Sequence, residues 1–490
     1  MATFQDRADG AAVALSELYS SIVGLAEGSC KLPLRVARDL EERFIRDGWP
    51  VGRVYGNESD LAAGFGVGRD VAREAVRILQ ARGSVRTLRG RRGGVALSRP
   101  RGAQLADAVA DHAYLTGTTA VEILEAWAAV HAAAVRLLSG QPGDAWTGAE
   151  PATGSEAAAW LREWAAGLIE RSGNATLACL ARLLIPLLPP ARGTGSVERV
   201  AERAKRIQDD LREGRTRTAV RETRGLFLDT EKHNLSVAQR TNGPGAVPPS
   251  PSSSVNAMTA LDVVHTLMRQ VTPAEWSRGV RLGHEAELCD RLFADRSVIR
   301  QAARIMEDEG TAVTLPGRGG GLVTRRPDSV SLSRRLCAVL ASGEAELPDT
   351  ERALQALMVE MVTLAASNRR SEDETLIDSL HARLRQLRRA GPLAAIQPVE
   401  RLLYQLAHND LLLVFVDGLK AYLTWSMAEE ASVPSWIMEV YAETTGAVLH
   451  AVARNDVEEA ELRQEEKQER LERCRRLFLE GQHSSRAASS

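Results

Sequence analysis

The sequence predicts a mainly α-helical chain with two small helix-and-hairpin units, each followed by an all-helical bundle. Three observations predict it. A segment near residue 50 recurs near residue 277 without a gap. In each copy the residue pattern gives short helices and then a glycine-tipped hairpin. Behind each copy, long stretches keep a helical apolar period with no run of alternating strands.

The bulk properties fit several packed domains. The chain has 490 residues, a formal net charge of −2 and 44% apolar residues. Five of the 62 basic residues are lysine, so arginine supplies the planar, bidentate donors. No run of ~18 apolar residues is present, which predicts no membrane span. The first residues carry early acids and no basic, apolar leader pattern. The five cysteines are scattered and never form C-x-x-C, which excludes a disulfide framework or cysteine-rich zinc site and suits a reducing cytoplasm.

The two copies align at a constant offset of 227. Trp49 meets Trp276, Glu58 meets Glu285, Arg69 meets Arg296, Arg73 meets Arg300 and Gly93–Gly94 meet Gly320–Gly321. That register implies a tandem duplication. The boundaries read as an N-terminal extension (1–30), first small unit (31–100), first bundle (101–239), linker (240–257), second small unit (258–328), second bundle (329–481) and polar tail (482–490). The linker is rich in Pro, Gly and Ser. The first bundle is shortened, because a Gly- and Pro-rich stretch near 140–155 stands where the second has a helix over 371–389.

In the first small unit, residues 34–46 form an amphipathic helix. Asn57 caps a short second helix, with Asp60 as its capping partner. Gly66 suits the tight turn that follows. A third helix runs from Arg69 to Ala81 and faces the core with Val71, Ala75, Ile78 and Leu79. Its other side shows Arg69, Arg73 and Arg77. Gly83 stops it, and two strands (84–88 and 94–98) flank Arg89-Gly90-Arg91-Arg92-Gly93. This order is that of a winged helix-turn-helix. An arginine stripe at a helix N-terminus suits a major groove, and Arg forks match the O6/N7 edge of guanine. A basic glycine hairpin suits phosphates or a minor groove.

The second unit is less basic. Residues 50–100 hold ten Arg against four acids, and residues 277–327 hold nine Arg against seven. Its wing keeps Arg318 but loses three arginines. Phe293 stands where the first copy has Gly66, so the turn is expected to be rebuilt. Arg296 and Arg300 keep the groove-reading spacing. The first unit is expected to bind DNA more strongly.

These motifs resemble the GntR transcription-factor family. Asn57-Glu58, Leu61-Ala62, Phe65-Gly66-Val67-Gly68-Arg69 and Arg73-Glu74-Ala75-Val76 stand at the family's S-E, L-A, F-G-V-S-R and R-E-A-L segments. The resemblance implies DNA contacts at Arg69, Arg73, Arg89 and Gly90; the residues add Arg91, Arg92, Arg296, Arg300 and Arg318. Asp70 departs from the family's small residue, and either phosphate repulsion or acceptance from a cytosine amino group fits it. Behind the units, the helices at 121–138 and 351–367, Ser172-Gly173-Asn174 (weakly Ala407-His408-Asn409), and the breaks at Glu213-Gly214-Arg215 and Arg454-Asn455-Asp456 resemble the FadR-type effector domain.

Many members of that subfamily hold a metal with one Asp and three His. The corresponding positions here are Ala165, Ala204 and Leu226 in the first bundle, and Glu400, Thr445 and Lys467 in the second. None is histidine, and His408 and His450 read as structural or solvated. No metal site and no cofactor are expected. An acid or acyl-type effector, implied by the resemblance alone, fits the second bundle better.

The reading is a cytoplasmic, sequence-specific DNA-binding regulator, and the resemblance implies repression as its mode. Its two unlike winged helices would act as an intramolecular pseudo-dimer on double-stranded DNA, with further homodimerisation open. The rival is a DNA-associated assembly protein whose second winged helix does not read DNA. No nucleophile elbow, phosphate-binding loop or zinc motif points to an enzyme.

Overall fold

The computed structural model describes residues 31–90, 93–139, 156–189, 196–242, 259–317, 319–327, 329–387, 396–426 and 434–487. It is mainly helical. The first 30 residues, nearly all of the expected linker, the Gly- and Pro-rich stretch of the first bundle, and Arg91, Arg92 and Arg318 lie outside the described residues.

The first small unit comprises α1 (Leu32–Arg46), α2 (Glu58–Gly64), α3 (Arg69–Ala81), β1 (Val85–Leu88) and β2 (Gly94–Leu97). Helix α1 buries Val36, Ala37, Leu40 and Phe44 along one stripe. Asn57 Oδ1 accepts from the backbone N–H groups of Ser59 and Asp60, and Asp60 accepts from Asn57 N at 2.9 Å. This reciprocal cap satisfies donors that a helix start leaves free. Helix α3 buries Ala72, Ala75, Val76, Ile78 and Leu79, while Val71 is half-buried. The hairpin pairs Val85 with Leu97 and Leu88 with Gly94.

The second small unit repeats this order with α10 (Ala260–Arg269), α11 (Pro273–Arg278), β3 (Arg281–Gly283), α12 (Glu285–Leu292), α13 (Arg296–Asp308), β4 (Ala312–Leu315) and β5 (Gly321–Thr324). Strand β3 pairs with β5, whereas the first unit has only a bridge from Val54 to Ala96. The turn before α13 is not rebuilt. Phe293 takes the left-handed conformation itself, with φ 51°, matching Gly66 at 61°. Its side chain is 95% exposed, so the neighbouring chain does not obstruct it. The cost is the backbone preference alone, on the order of 1–2 kcal/mol.

The first bundle holds α4 (Gly102–Thr116), α5 (Ala120–Leu138), α6 (Ala157–Ser172), α7 (Ala175–Leu184), α8 (Val197–Arg212) and α9 (Thr216–Asn242). The second holds α14 (Ser329–Val339), α15 (Leu347–Asn368), α16 (Glu374–Leu387), α17 (Gln397–Gln405), α18 (Asp410–Ser426), α19 (Ser435–Ala453) and α20 (Val457–Ala487). Two boundaries differ from the sequence expectation. Helix α9 continues to Asn242, into the segment read as linker, and α20 runs to Ala487, into the segment read as tail. Neither Arg240-Thr241 nor Gln482-His483 contains a residue that stops a helix, so polarity alone misplaces both ends. The first halts come at the helix breaks: Gly173, His408, Gly214 and Asn455 all have positive φ.

Helices α5 and α15 pack against each other across the two halves. Each of the two also receives a hydrogen bond from a helix cap of the opposite half. Asn174 caps α7 through Leu177 N and donates to the backbone oxygen of Asp349 at 2.8 Å. Asn409 accepts from Leu412 N and donates to the backbone oxygen of Glu122 at 2.8 Å. Glu122 and Asp349 are themselves separated by the 227-residue offset. The apolar core runs continuously from the first small unit through both bundles, while the second small unit has its own cluster, joined by Leu115 of α4.

Candidate nucleic-acid interface

Helix α3 presents Arg69, Arg73 and Arg77 on its exposed face because its opposite face is committed to the core. Arg73 is held in place. Its Nε donates to Glu58 at 3.0 Å and its Nη1 to Asp70 at 3.1 Å. Asp70, whose sequence role was open, therefore orients Arg73, while its own side chain stays 96% exposed. Helix α13 presents Arg296 and Arg300 in the same positions. Here one carboxylate grips both arginines, since Glu285 pairs with Arg296 and, at 2.8 Å, with Arg300. Burial pushes the Glu285 carboxyl up, but the two guanidiniums outweigh it and leave the group below its usual range.

The hairpin tips are alike. Arg89 and Gly90 are exposed, and Gly90 has φ 107° against 94° for Gly317. Gly93 and Gly320 are required by a close approach, because a Cβ on either would sit 2.2 Å from the carbonyl oxygen of Leu88 or Leu315. The structure thus brings Arg69, Arg73, Arg89 and Gly90 onto one small unit and Arg296 and Arg300 onto the other. The places of Arg91, Arg92 and Arg318 are not among the described residues.

The two arginine helices meet through the middle and end of α3 and the C-terminal half of α13, a feature that local sequence patterns do not reveal. Arg304, third in the α13 stripe, pairs with Glu74 of α3 and stays half-buried. Beyond the end of α3, Arg82 is buried, pairing with Glu41 on one side and donating from Nε to Asp308 at 2.7 Å on the other. Ser84 donates to the remaining Glu41 oxygen at 2.8 Å. Burial raises the Asp308 carboxyl, yet the Arg82 guanidinium prevails and holds it below its usual range. In the sequence, Asp308 sits in the acidic run Glu307-Asp308-Glu309, which reads as a solvated face. A lone arginine before Gly83 was the one available signal.

Two positions where the resemblance would put metal ligands, Glu400 and Lys467, belong instead to a buried ion cluster. In the second bundle Glu400 accepts from Lys420 at 2.6 Å and from Lys467 at 3.2 Å, all three buried. Burial raises the Glu400 carboxyl, but the two ammonium groups outweigh it and hold it at about 2. His408 pairs with Asp373 at 2.9 Å, and His450 is exposed. Among the described residues no group of three or more His, Cys, Asp or Glu is placed to hold a metal ion. No described helix is long and apolar enough to cross a membrane.

Comparison with known proteins gives one family match. No curated protein matches the chain. A solved structure, E. coli McbR/YncC, aligns with 45% of this chain and 97% of its own length, at 17% identity and a TM-score of 0.24. Residues 349–465 match the FCD domain, the C-terminal effector domain of the GntR family. The matched segment runs from α15 into α20 of the second bundle.

Proposed function

We propose that the chain is a sequence-specific DNA-binding transcription regulator, acting by operator occupancy as a repressor. In this reading each small unit is a winged helix, the two halves arose by duplication, and together they form an intramolecular pseudo-dimer of the FadR type. The observation that carries it is the exposure of Arg69–Arg73 and Arg296–Arg300 at the N-terminal ends of two helices that are tied to each other. The FCD match supports a regulator and an effector site in the second bundle. The reading places the protein in the cytoplasm with the DNA it regulates. It retains the domain boundaries given above, with both helical ends extended.

A second reading has one specific observation in its favour. Glu285 occupies both second-unit arginines, and Arg304 serves the contact between units. That arrangement suits an assembly module that does not read DNA. Selection of bound sequences from random duplex DNA separates the two. Arg69→Ala/Arg73→Ala and Arg296→Ala/Arg300→Ala are each expected to erase a different part of one composite site. If only the first pair matters, the second unit is an assembly module.

A further inference from the structure

The face where α9 and α5 of the first half meet α20 and α15 of the second is sorted by charge. On α9, Arg217, Arg221 and Arg224 face the second half. On α20, Glu465, Glu458 and Glu461 receive them at 2.7, 2.6 and 2.9 Å respectively. The pattern extends inward. Arg136 of α5 pairs with Glu461 at 2.7 Å and with Glu465, and Arg224 pairs with Glu360 of α15 at 3.0 Å. Every cation in these pairs comes from the first half and every anion from the second.

The helix breaks set the equivalence between the two helices. Gly214 and Asn455 each stand two residues before their helix, and both have positive φ. Counting from them, Arg217 corresponds to Glu458 and Arg224 to Glu465. Equivalent positions thus carry opposite charge. The observed Arg217–Glu465 pair joins the first of these positions to the second. Two first halves docked in the same way would oppose Arg217 to Arg224. Two second halves would oppose Glu458 to Glu465. Charge opposition of this kind selects partners by penalising the wrong ones.

We propose that this arginine–glutamate zipper is a pairing code: it makes a first half accept only a second half and bars like-with-like assembly through this face. The particle then always presents both unlike winged helices together. The inference rests on the pseudo-dimer reading and names the surface that enforces it.

The test uses full-length chains. Arg217→Glu/Arg221→Glu makes both faces acidic at the Arg217–Glu465 and Arg221–Glu458 pairs, and Glu458→Arg/Glu465→Arg makes both basic there. Each alone is expected to melt several degrees below the wild type. Combining all four substitutions in one chain re-forms both pairs and is expected to recover most of the melting temperature, with a residual loss where Glu465→Arg meets Arg136. Mixing the two double variants, one isotopically labelled, is expected to restore it too, through a 1:1 complex of twice the 53.1 kDa chain mass. Arg221→Glu, which changes one exposed pair, is the milder variant if a double variant does not fold; it is expected to be rescued by Glu458→Arg in the same chain. Unchanged melting in both double variants overturns the proposal, as does a loss that neither the fourfold variant nor mixing repairs. Mass and melting are read without DNA. Failure here leaves the arginine tests of DNA binding intact, and loss of DNA binding leaves the zipper intact.

Discussion

The two small units share an order of elements but not a way of being held. The apolar core of the first is continuous with the bundles, whereas the second closes around its own cluster. The first keeps all three stripe arginines exposed, while the second keeps two outward and commits Arg304 to its neighbour. The first is also the more basic. The difference teaches that a repeated sequence pattern does not fix a repeated role. One copy is anchored from below through apolar burial, and the other is tied sideways through ion pairs.

The largest effect is expected where that sideways tie is buried. Replacing Arg82 with Ala leaves Glu41 and Asp308 buried without their common cation. Removing one partner of a buried pair costs about 3–5 kcal/mol. Chemical denaturation is expected to show that loss. Hydrogen exchange should place it in α1 and at the end of α13, and a loss confined to the second bundle would contradict the account.

A pH experiment sharpens the contrast between the bundles. His131 of α5 is fully buried and shares a hydrogen bond of 2.7 Å with the Trp127 carbonyl, while the 227-residue offset places Met358 opposite it in the second half. Burial pulls the His131 imidazole down to about 4, with only partial relief from the Trp127 carbonyl. An unfolded histidine titrates near 6.5. Between about 4 and 6.5 the unfolded chain binds the extra proton, so stability falls as pH is lowered through that window. The contribution lost is on the order of 3 kcal/mol. His131→Leu is expected to flatten the dependence of melting temperature on pH there, and an unchanged slope would assign the acid sensitivity elsewhere.

The reciprocal caps allow a direct comparison of the halves. Asn174→Ala and Asn409→Ala each remove a helix cap and a hydrogen bond to a backbone oxygen across the halves, and Asn409→Ala also removes a bond to Glu125. Each is expected to cost about 1–2 kcal/mol by equilibrium unfolding. Similar losses fit a pseudo-symmetric contact, and a loss on one side alone would break the symmetry. The smallest effect is a gain. Phe293→Gly relieves an exposed left-handed residue and is expected to stabilise the chain by up to about 1 kcal/mol, the added chain freedom of glycine offsetting part of the relief. Destabilisation would mean that the Phe293 side chain makes a compensating contact.

Local patterns carried much of this structure. The Asn57 cap, the span of α3 and the left-handed Gly66 follow from nearby residues, because caps and apolar period act within a few positions. The meeting of α3 with α13 was not legible. Arg82 finds Asp308 across 226 residues, and neither residue differs locally from an ordinary surface charge. Strand β3 was missed for a related reason. Arg281–Gly283 is short and becomes a strand only because β5 lies beside it. At the candidate interface the spacing of Arg69, Arg73, Arg296 and Arg300 was visible in the sequence. The double grip of Glu285 was not, since it depends on how α12 sits against α13.

The central claim is that two unlike helices read one piece of DNA together. Its most direct test is sequence selection from random duplex DNA with the whole chain and with each arginine pair removed. Arg69→Ala/Arg73→Ala is expected to lose one part of a composite site and Arg296→Ala/Arg300→Ala the other, at about 1–3 kcal/mol of discrimination per base-reading arginine. Selection of no sequence by the whole chain, or of an unchanged sequence by both double variants, would contradict it.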